Sequence, residues 1–135
     1  ADGRWVLTPH LGELRRLSGR EDLQAGDRVR LAATYAERWN CVLVVKGMPS
    51  VVGCPDGRVY LCGAGNAALA TAGTGDVLAG MTAGLLAQGL EPAAAALGAL
   101  HLGGRAADAW AADRQPRTML ATDLLRLLPT VRLRA

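Results

Sequence analysis

Residues 71–80 read Thr71-Ala72-Gly73-Thr74-Gly75-Asp76-Val77-Leu78-Ala79-Gly80, a pattern suited to phosphoryl transfer. Two glycines and a threonine make a tight turn, a carboxylate follows, and an apolar helical pattern begins at once. In such a turn the backbone N–H groups converge on one point, where the helix dipole favours an anion. The dipole also favours an ionised carboxylate in the first helical turn, where Asp76 falls. The N–H donors of the turn would hold phosphoryl oxygens, while the carboxylate orients an attacking hydroxyl and takes its proton late in the reaction. A capped helix whose glycines only permit close packing uses the same residues. Two other phosphate motifs are excluded. No G-x-x-x-x-G-K-[ST] occurs, and both Gly73-Thr74-Gly75 and Gly63-Ala64-Gly65 lack the third glycine of a dinucleotide fingerprint.

The elements needed to position this turn are legible in outline. Trp5-Val6-Leu7 reads as a short buried strand ending at Thr8-Pro9, and residues 11–18 and 27–39 have helical periodicity. Asp27 is an N-cap candidate for the second helix, whose apolar face is Val29, Leu31, Ala32, Tyr35, Ala36 and Trp39. Cys41-Val42-Leu43-Val44-Val45 is a continuous apolar run, as in a strand of a parallel sheet buried on both faces. Lys46 follows at its C-terminal end, where α/β folds bind ligands, although a solvated strand end reads the same way. Val51-Val52 and Val59-Tyr60-Leu61 flank Pro55-Asp56-Gly57-Arg58 and predict a hairpin.

The remainder is helical: Thr74 to Gln88 with Gly89 closing it, Pro92 to Ala112, and Asp123–Leu128 capped by Thr122 and closed by Pro129. Gly80, Gly84, Gly98, Gly103 and Gly104 are expected to permit close helix contacts. Strand, helix, strand, hairpin and helices together indicate an α/β layered fold.

Composition narrows the function classes. A chain of 135 residues, half hydrophobic and a fifth charged, can bury one core. The net charge of +3 is modest, and the arginines of residues 4–38 and 105–134 are spread without a dense run. They read as solvated helix faces, and no nucleic-acid partner is expected. Cys41, Cys54 and Cys62 form no metal-binding spacing. They are expected to be reduced thiols, with a Cys54–Cys62 bridge across the hairpin left open. With no signal peptide and no apolar run of roughly 18 residues, the expectation is a cytoplasmic protein with no membrane span.

Three blocks together resemble a known family. Thr8-Pro9-His10-Leu11-Gly12-Glu13, then Lys46-Gly47, then Gly65-Asn66 leading into 70–80, are similar in order and spacing to the ribokinase-like NAD(P)H-hydrate dehydratases. The closing Ala121-Thr122-Asp123-Leu124 with Leu128-Pro129 is similar too. Leu11 stands where proline is usual, and Ala67-Ala68-Leu69 where Pro-Gly-Met is commoner; neither change removes a chemical group.

The resemblance implies the C-terminal half of a ribokinase-like layered fold, with a parallel central sheet flanked by helices plus a β-hairpin. Residues 1–135 would then be a single domain, incomplete at its N-terminal side. It implies an enzyme that uses ADP or ATP, with Mg2+, to phosphorylate the ring hydroxyl of NADH hydrate or NADPH hydrate. Elimination of phosphate then restores NADH or NADPH. Asp76 would be the base and touch the hydrated ring, and His10 would contact the substrate. Lys46, Gly47, Met48, Pro49 and Ser50, with Asn66, Gly73, Thr74 and Gly75, would bind the nucleotide. Glu13 would organise magnesium and water indirectly. Read without the family, His10 to Glu13 is an ordinary helix start, and Asn66 a residue accepting a left-handed turn. The family's members assemble as homo-oligomers, often tetramers. Two other classes remain open at this point: a ribokinase-like kinase of a pyrimidine alcohol or sugar, and a non-catalytic nucleotide-binding module.

Overall fold

The computed structural model describes residues 2–131. The elements are β1 (Val6–Leu7), α1 (Leu11–Ser18), α2 (Arg28–Trp39), β2 (Val42–Val45), β3 (Ser50–Gly53), β4 (Val59–Cys62), α3 (Thr74–Ala87), α4 (Pro92–Ala111) and α5 (Ala121–Leu127). Short 3₁₀ turns at Ala25–Asp27, Ala67–Ala70, Pro116–Thr118 and Leu128–Thr130 join them. No helix among the described residues is long and apolar enough to cross a membrane.

The four strands form one sheet in sequence order, and it is mixed. β1 and β2 are parallel, whereas β2–β3 and β3–β4 are antiparallel. The expected parallel sheet is therefore confined to one strand pair, and the hairpin is stitched directly onto it. Chain length dictates this. Only residues 46–49 separate β2 from β3, whereas a parallel return needs a crossover of a dozen or more residues.

β2 is buried along its whole length, as its sequence predicts. Its alternate side chains face different layers. Leu43 and Val45, with Val51 of β3, pack on Leu31, Ala32, Tyr35 and Ala36 of α2. Val42 and Val44, with Val52, pack on Ala96 of α4. A third cluster, including Val77, Ala106, Ala107, Met119 and Leu124, ties α3, α4 and α5 together.

Several local expectations change. Trp5 is 62% exposed and outside the strand, and Val29 lies outside the buried face of α2. Asp27 precedes α2 but caps nothing with its side chain, because a 3₁₀ turn feeds straight into the helix; its carboxylate pairs with Arg30 instead at 3.1 Å. α5 begins two residues earlier than Thr122 and Asp123 indicate. Asp123 sits inside its first turn, where its carboxylate accepts the Leu120 N–H at 3.0 Å. Gly98 meets Leu85 and Gly103 meets Met81 across the α3–α4 contact, but Gly80 and Gly84 face open space.

No disulfide joins the hairpin: all three cysteines are free. Cys62 is opposite Ser50, whereas Cys54 follows Gly53 at the other end of the ladder. Four residues of strand put the two about 13 Å apart, beyond the roughly 7 Å that a disulfide spans. Burial raises the thiol pKa of Cys41 and of Cys54, which keeps both unreactive.

Candidate active site

The C-terminal end of β2 meets two helix N-termini. The Lys46 N–H donates to Pro9 O at 2.9 Å, which ties the strand end to the entrance of α1. The Lys46 ammonium lies 3.4 Å from Glu13 Oε2. On its other side it approaches α3 so closely that a Cβ built on Gly75 would sit 3.1 Å from Nζ. A cation at the positive end of a helix is unfavourable by itself. The placement makes physical sense where an anion is to be shared by the ammonium and the helix N–H groups.

The turn opening α3 is built as the glycines predict. Gly73 occupies the left-handed region at φ 89° and ψ −15°. The buried Thr74 hydroxyl is 2.7 Å from Leu69 O and 2.8 Å from Thr71 O, so it anchors the turn. Its N–H also donates to Thr71 O, at a long 3.3 Å. The N–H groups of Gly73 and Gly75 have no acceptor among the described residues and remain available. Asp76 is exposed in the first turn, and its carboxylate has no hydrogen bond or ion pair among the described residues.

His10 and Glu13 cap α1 reciprocally. His10 Nδ1 accepts the Glu13 N–H at 3.1 Å, and Glu13 Oε2 accepts the His10 N–H at 2.7 Å. Because Nδ1 is the acceptor, the proton of the neutral ring belongs on Nε2. The ring lies over Gly12 and is 56% exposed. Partial burial alone would raise the Glu13 carboxyl. The His10 N–H and the charge of Lys46 outweigh it and hold that carboxyl below the ordinary value.

Between β4, α3 and α4 lies a cavity of about 420 Å³. Lys46, Gly47, Met48, Ser50, Asn66, Thr74 and Gly75 all line it, and Cys62, Leu69, Leu78, Met81 and Leu100 make its apolar wall. Its size and largely apolar lining with a few polar groups suit the organic part of a ligand whose charged end reaches Lys46. The 47–50 turn is closed by Ser50 Oγ, which donates to Gly47 O at 3.0 Å, and Met48-Pro49 is cis. A second, open groove is lined by Leu7, Thr8, Pro9, Glu13, Arg16 and Leu17.

Asn66 has a structural function that the sequence did not disclose. Its backbone is extended, and Gly65 beside it takes the left-handed conformation at φ 101°. Asn66 Oδ1 accepts the Ala68 N–H at 3.0 Å, while Nδ2 donates to Asp108 Oδ1 of α4 at 2.9 Å. Arg28 was also missed. It is no solvated helix face: Nη2 donates to Met48 O at 3.0 Å, and the guanidinium packs against Gly47. One signal pointed to it, an arginine in the first turn of α2, where the dipole disfavours a cation. Among the described residues no His, Cys, Asp and Glu side chains cluster as a metal site.

The family model described as NAD(P)H-hydrate dehydratase matches residues 1–130. The bifunctional NAD(P)H-hydrate repair enzyme Nnr of Salinibacter ruber is 60% identical over 127 residues, covering 94% of this chain and 23% of that protein. The ADP-dependent (S)-NAD(P)H-hydrate dehydratase of Bacillus subtilis is 38% identical over 134 residues, covering 96% of this chain and 48% of that protein. The crystal structure of the B. subtilis ADP/ATP-dependent enzyme, co-crystallised with ATP/Mg2+ and soaked with CoA, superposes with a TM-score of 0.87. That match, at 38% identity, covers 93% of this chain and 47% of that one. The chain thus spans at most about half the length of these relatives, and its α/β architecture is the ribokinase-like one.

Proposed function

The chain belongs to the NAD(P)H-hydrate dehydratase family, and we propose that the protein carrying it is a nucleotide-dependent NAD(P)H-hydrate dehydratase. The observation that carries this reading is the Lys46 ammonium between Glu13 and the glycine turn of α3. Lys46 and the N–H groups of Gly73 and Gly75 hold the phosphates of ADP or ATP. The 46–50 segment and the cavity beside it, which Asn66 also lines, take the rest of the nucleotide.

The reaction needs a good leaving group where hydroxide leaves poorly. Asp76 orients the hydroxyl of the hydrated ring toward the terminal phosphoryl group and takes its proton. The phosphate ester then eliminates, with loss of a ring proton, to restore the reduced nicotinamide. The cluster around Lys46 stabilises charge developing on the transferring group. Magnesium supplies further charge neutralisation on the phosphates. With Glu13 Oε2 already accepting from His10 and beside Lys46, the ion would be held mainly by the nucleotide and water, and Glu13 would act on it indirectly. His10, exposed at the start of α1, contacts the substrate. The homo-oligomeric, cytoplasmic character implied by the resemblance belongs to the same reading, and the exposed small-residue face of α3 at Gly80 and Gly84 tolerates close packing.

Recovery of reduced-nicotinamide absorbance from NADH hydrate and NADPH hydrate, with ADP and ATP in parallel, tests the reading on the complete protein that carries this chain. Recovery that disappears in Asp76→Asn supports it. A stable phosphorylated product without recovery points to a small-molecule kinase. Nucleotide binding without turnover of either hydrate leaves a binding module.

A further inference from the structure

Arg28 is electrostatically out of place in three respects. It occupies the first position of α2, where the helix dipole opposes a cation. It pairs with no carboxylate among the described residues. Its Nε is buried and has no hydrogen-bond partner among the described residues, which costs free energy for any donor removed from water. Its one side-chain hydrogen bond among the described residues, from Nη2 to Met48 O at 3.0 Å, spans twenty residues to the turn after β2.

The fit at that turn is close. A Cβ on Gly47 would lie 2.9 Å from Arg28 Nε and 3.0 Å from Cζ, so the absence of a side chain at Gly47 makes room for the guanidinium at this turn. The other side of the same turn faces the cavity, through Gly47, Met48 and Ser50. Arg28 does not line that cavity.

We propose that Arg28 is a positioning residue for nucleotide binding: it braces the 47–50 turn from behind and adds an uncompensated positive charge to the wall that an anionic ligand approaches. This inference rests on the nucleotide-site reading of that turn. The unfavourable placement of Arg28 then has a purpose, since a bound polyanion supplies the counter-charge that the protein withholds.

The test uses the complete protein with ADP–Mg2+ and ATP–Mg2+ as probes, measuring Kd by titration calorimetry together with the nucleotide KM and kcat. Arg28→Met is expected to raise Kd and KM about tenfold, the order of one charged hydrogen bond, with kcat at saturating nucleotide changed less. Arg28→Lys restores a charged donor and should recover most of the loss. Gly47→Ala approaches the same contact from the other side and keeps Arg28. Gly47 has no left-handed φ, so the added methyl acts through displacement of the guanidinium, and the affinity should fall similarly. In the double variant with Arg28→Met the methyl should cost little more.

Wild-type affinity in both Arg28→Met and Gly47→Ala overturns the inference alone. So does a loss confined to kcat, or a fall in unliganded melting temperature that accounts for the whole effect. Absence of nucleotide binding in the wild-type protein overturns the functional reading, and this inference with it.

Discussion

Replacing Lys46 by methionine separates binding from folding. The substitution keeps an unbranched apolar stem in a side chain that is only 25% exposed, and it removes the ammonium. In the unliganded protein the loss is one ion pair at 3.4 Å, whose Glu13 partner is 42% exposed. Pairs screened to that degree are worth about 0–1 kcal/mol, so the melting temperature should fall by no more than a few degrees, on the order of the shift such an energy produces. A phosphate oxygen held by the ammonium is a different matter. Hydrogen bonds to charged groups contribute about 1.5–3 kcal/mol, which at roughly 1.4 kcal/mol per decade is a loss of about 10- to 100-fold in affinity. Calorimetric titration of ADP–Mg2+ and ATP–Mg2+ into wild type and Lys46→Met reads the second quantity, and thermal melting without ligand reads the first. The wild-type affinity should also weaken with ionic strength more steeply than that of the variant. A variant Kd within twofold of wild type, with an intact fold, would refute a phosphate contact by Lys46.

Three further outcomes follow from the same geometry. Asp76→Asn should lower turnover at least about a hundredfold, the size of a lost general base, while calorimetry finds nucleotide affinity within about threefold of wild type. Glu13 has a carboxyl held below its ordinary value of 4.5, so its contribution to stability is present above that pH and is lost as pH falls through the lower folded value. In urea titrations from pH 3 to 7, the stability gap between wild type and Glu13→Gln should narrow below pH 4.5; because the side chain is 42% exposed, the gap itself stays small, and one that widens in acid would reverse the assignment. Gly53→Ala places a Cβ 2.2 Å from Ala32 O of α2, so urea midpoints should report a loss at or above the roughly 1–3 kcal/mol of overpacking, whereas Gly80→Ala, with open space around it, should gain up to about 1 kcal/mol from helix propensity.

What the sequence discloses about this protein divides by the range of the interactions involved. The Gly73–Asp76 turn, the His10–Glu13 cap and the buried β2 run all depend on groups within a few residues, so residue types and spacing describe them almost completely. The four residues 46–49 between β2 and β3 require an antiparallel return, whereas the unbroken apolar run of β2 is equally compatible with parallel neighbours on both sides. Asn66 and Arg28 were not legible in the same way. Their partners lie 42 and 20 residues away, and although the place of Arg28 in the first turn of α2 marks it as unusual, nothing in a glycine-rich turn or an amphipathic helix identifies the partner. α5 shows the limit even at short range. Thr122 has the right chemistry for a cap, yet Asp123 reaching back to the Leu120 N–H sets the helix start, and the two arrangements differ by two residues with the same composition.

Two carboxylates flank the proposed phosphate position, and the structure distinguishes their suitability as the base. Glu13 accepts the His10 N–H and lies within ion-pair distance of Lys46, and both interactions favour its ionised form. Protonating it would cost the α1 cap and the orientation of Lys46 together, so it is a poor place to leave a proton during turnover. Asp76 carries no such obligation: it is exposed, unpartnered among the described residues, and held by the α3 backbone next to Gly75. A base must gain and lose a proton without disturbing the groups that grip the phosphates, and only Asp76 of the two meets that condition. The two neutral variants should therefore fail differently. Glu13→Gln should weaken nucleotide affinity through a displaced Lys46 and retain turnover at saturation, whereas Asp76→Asn should bind and not turn over. Equal kcat losses in the two variants, measured at saturating nucleotide, would remove the distinction on which the assignment of Asp76 rests.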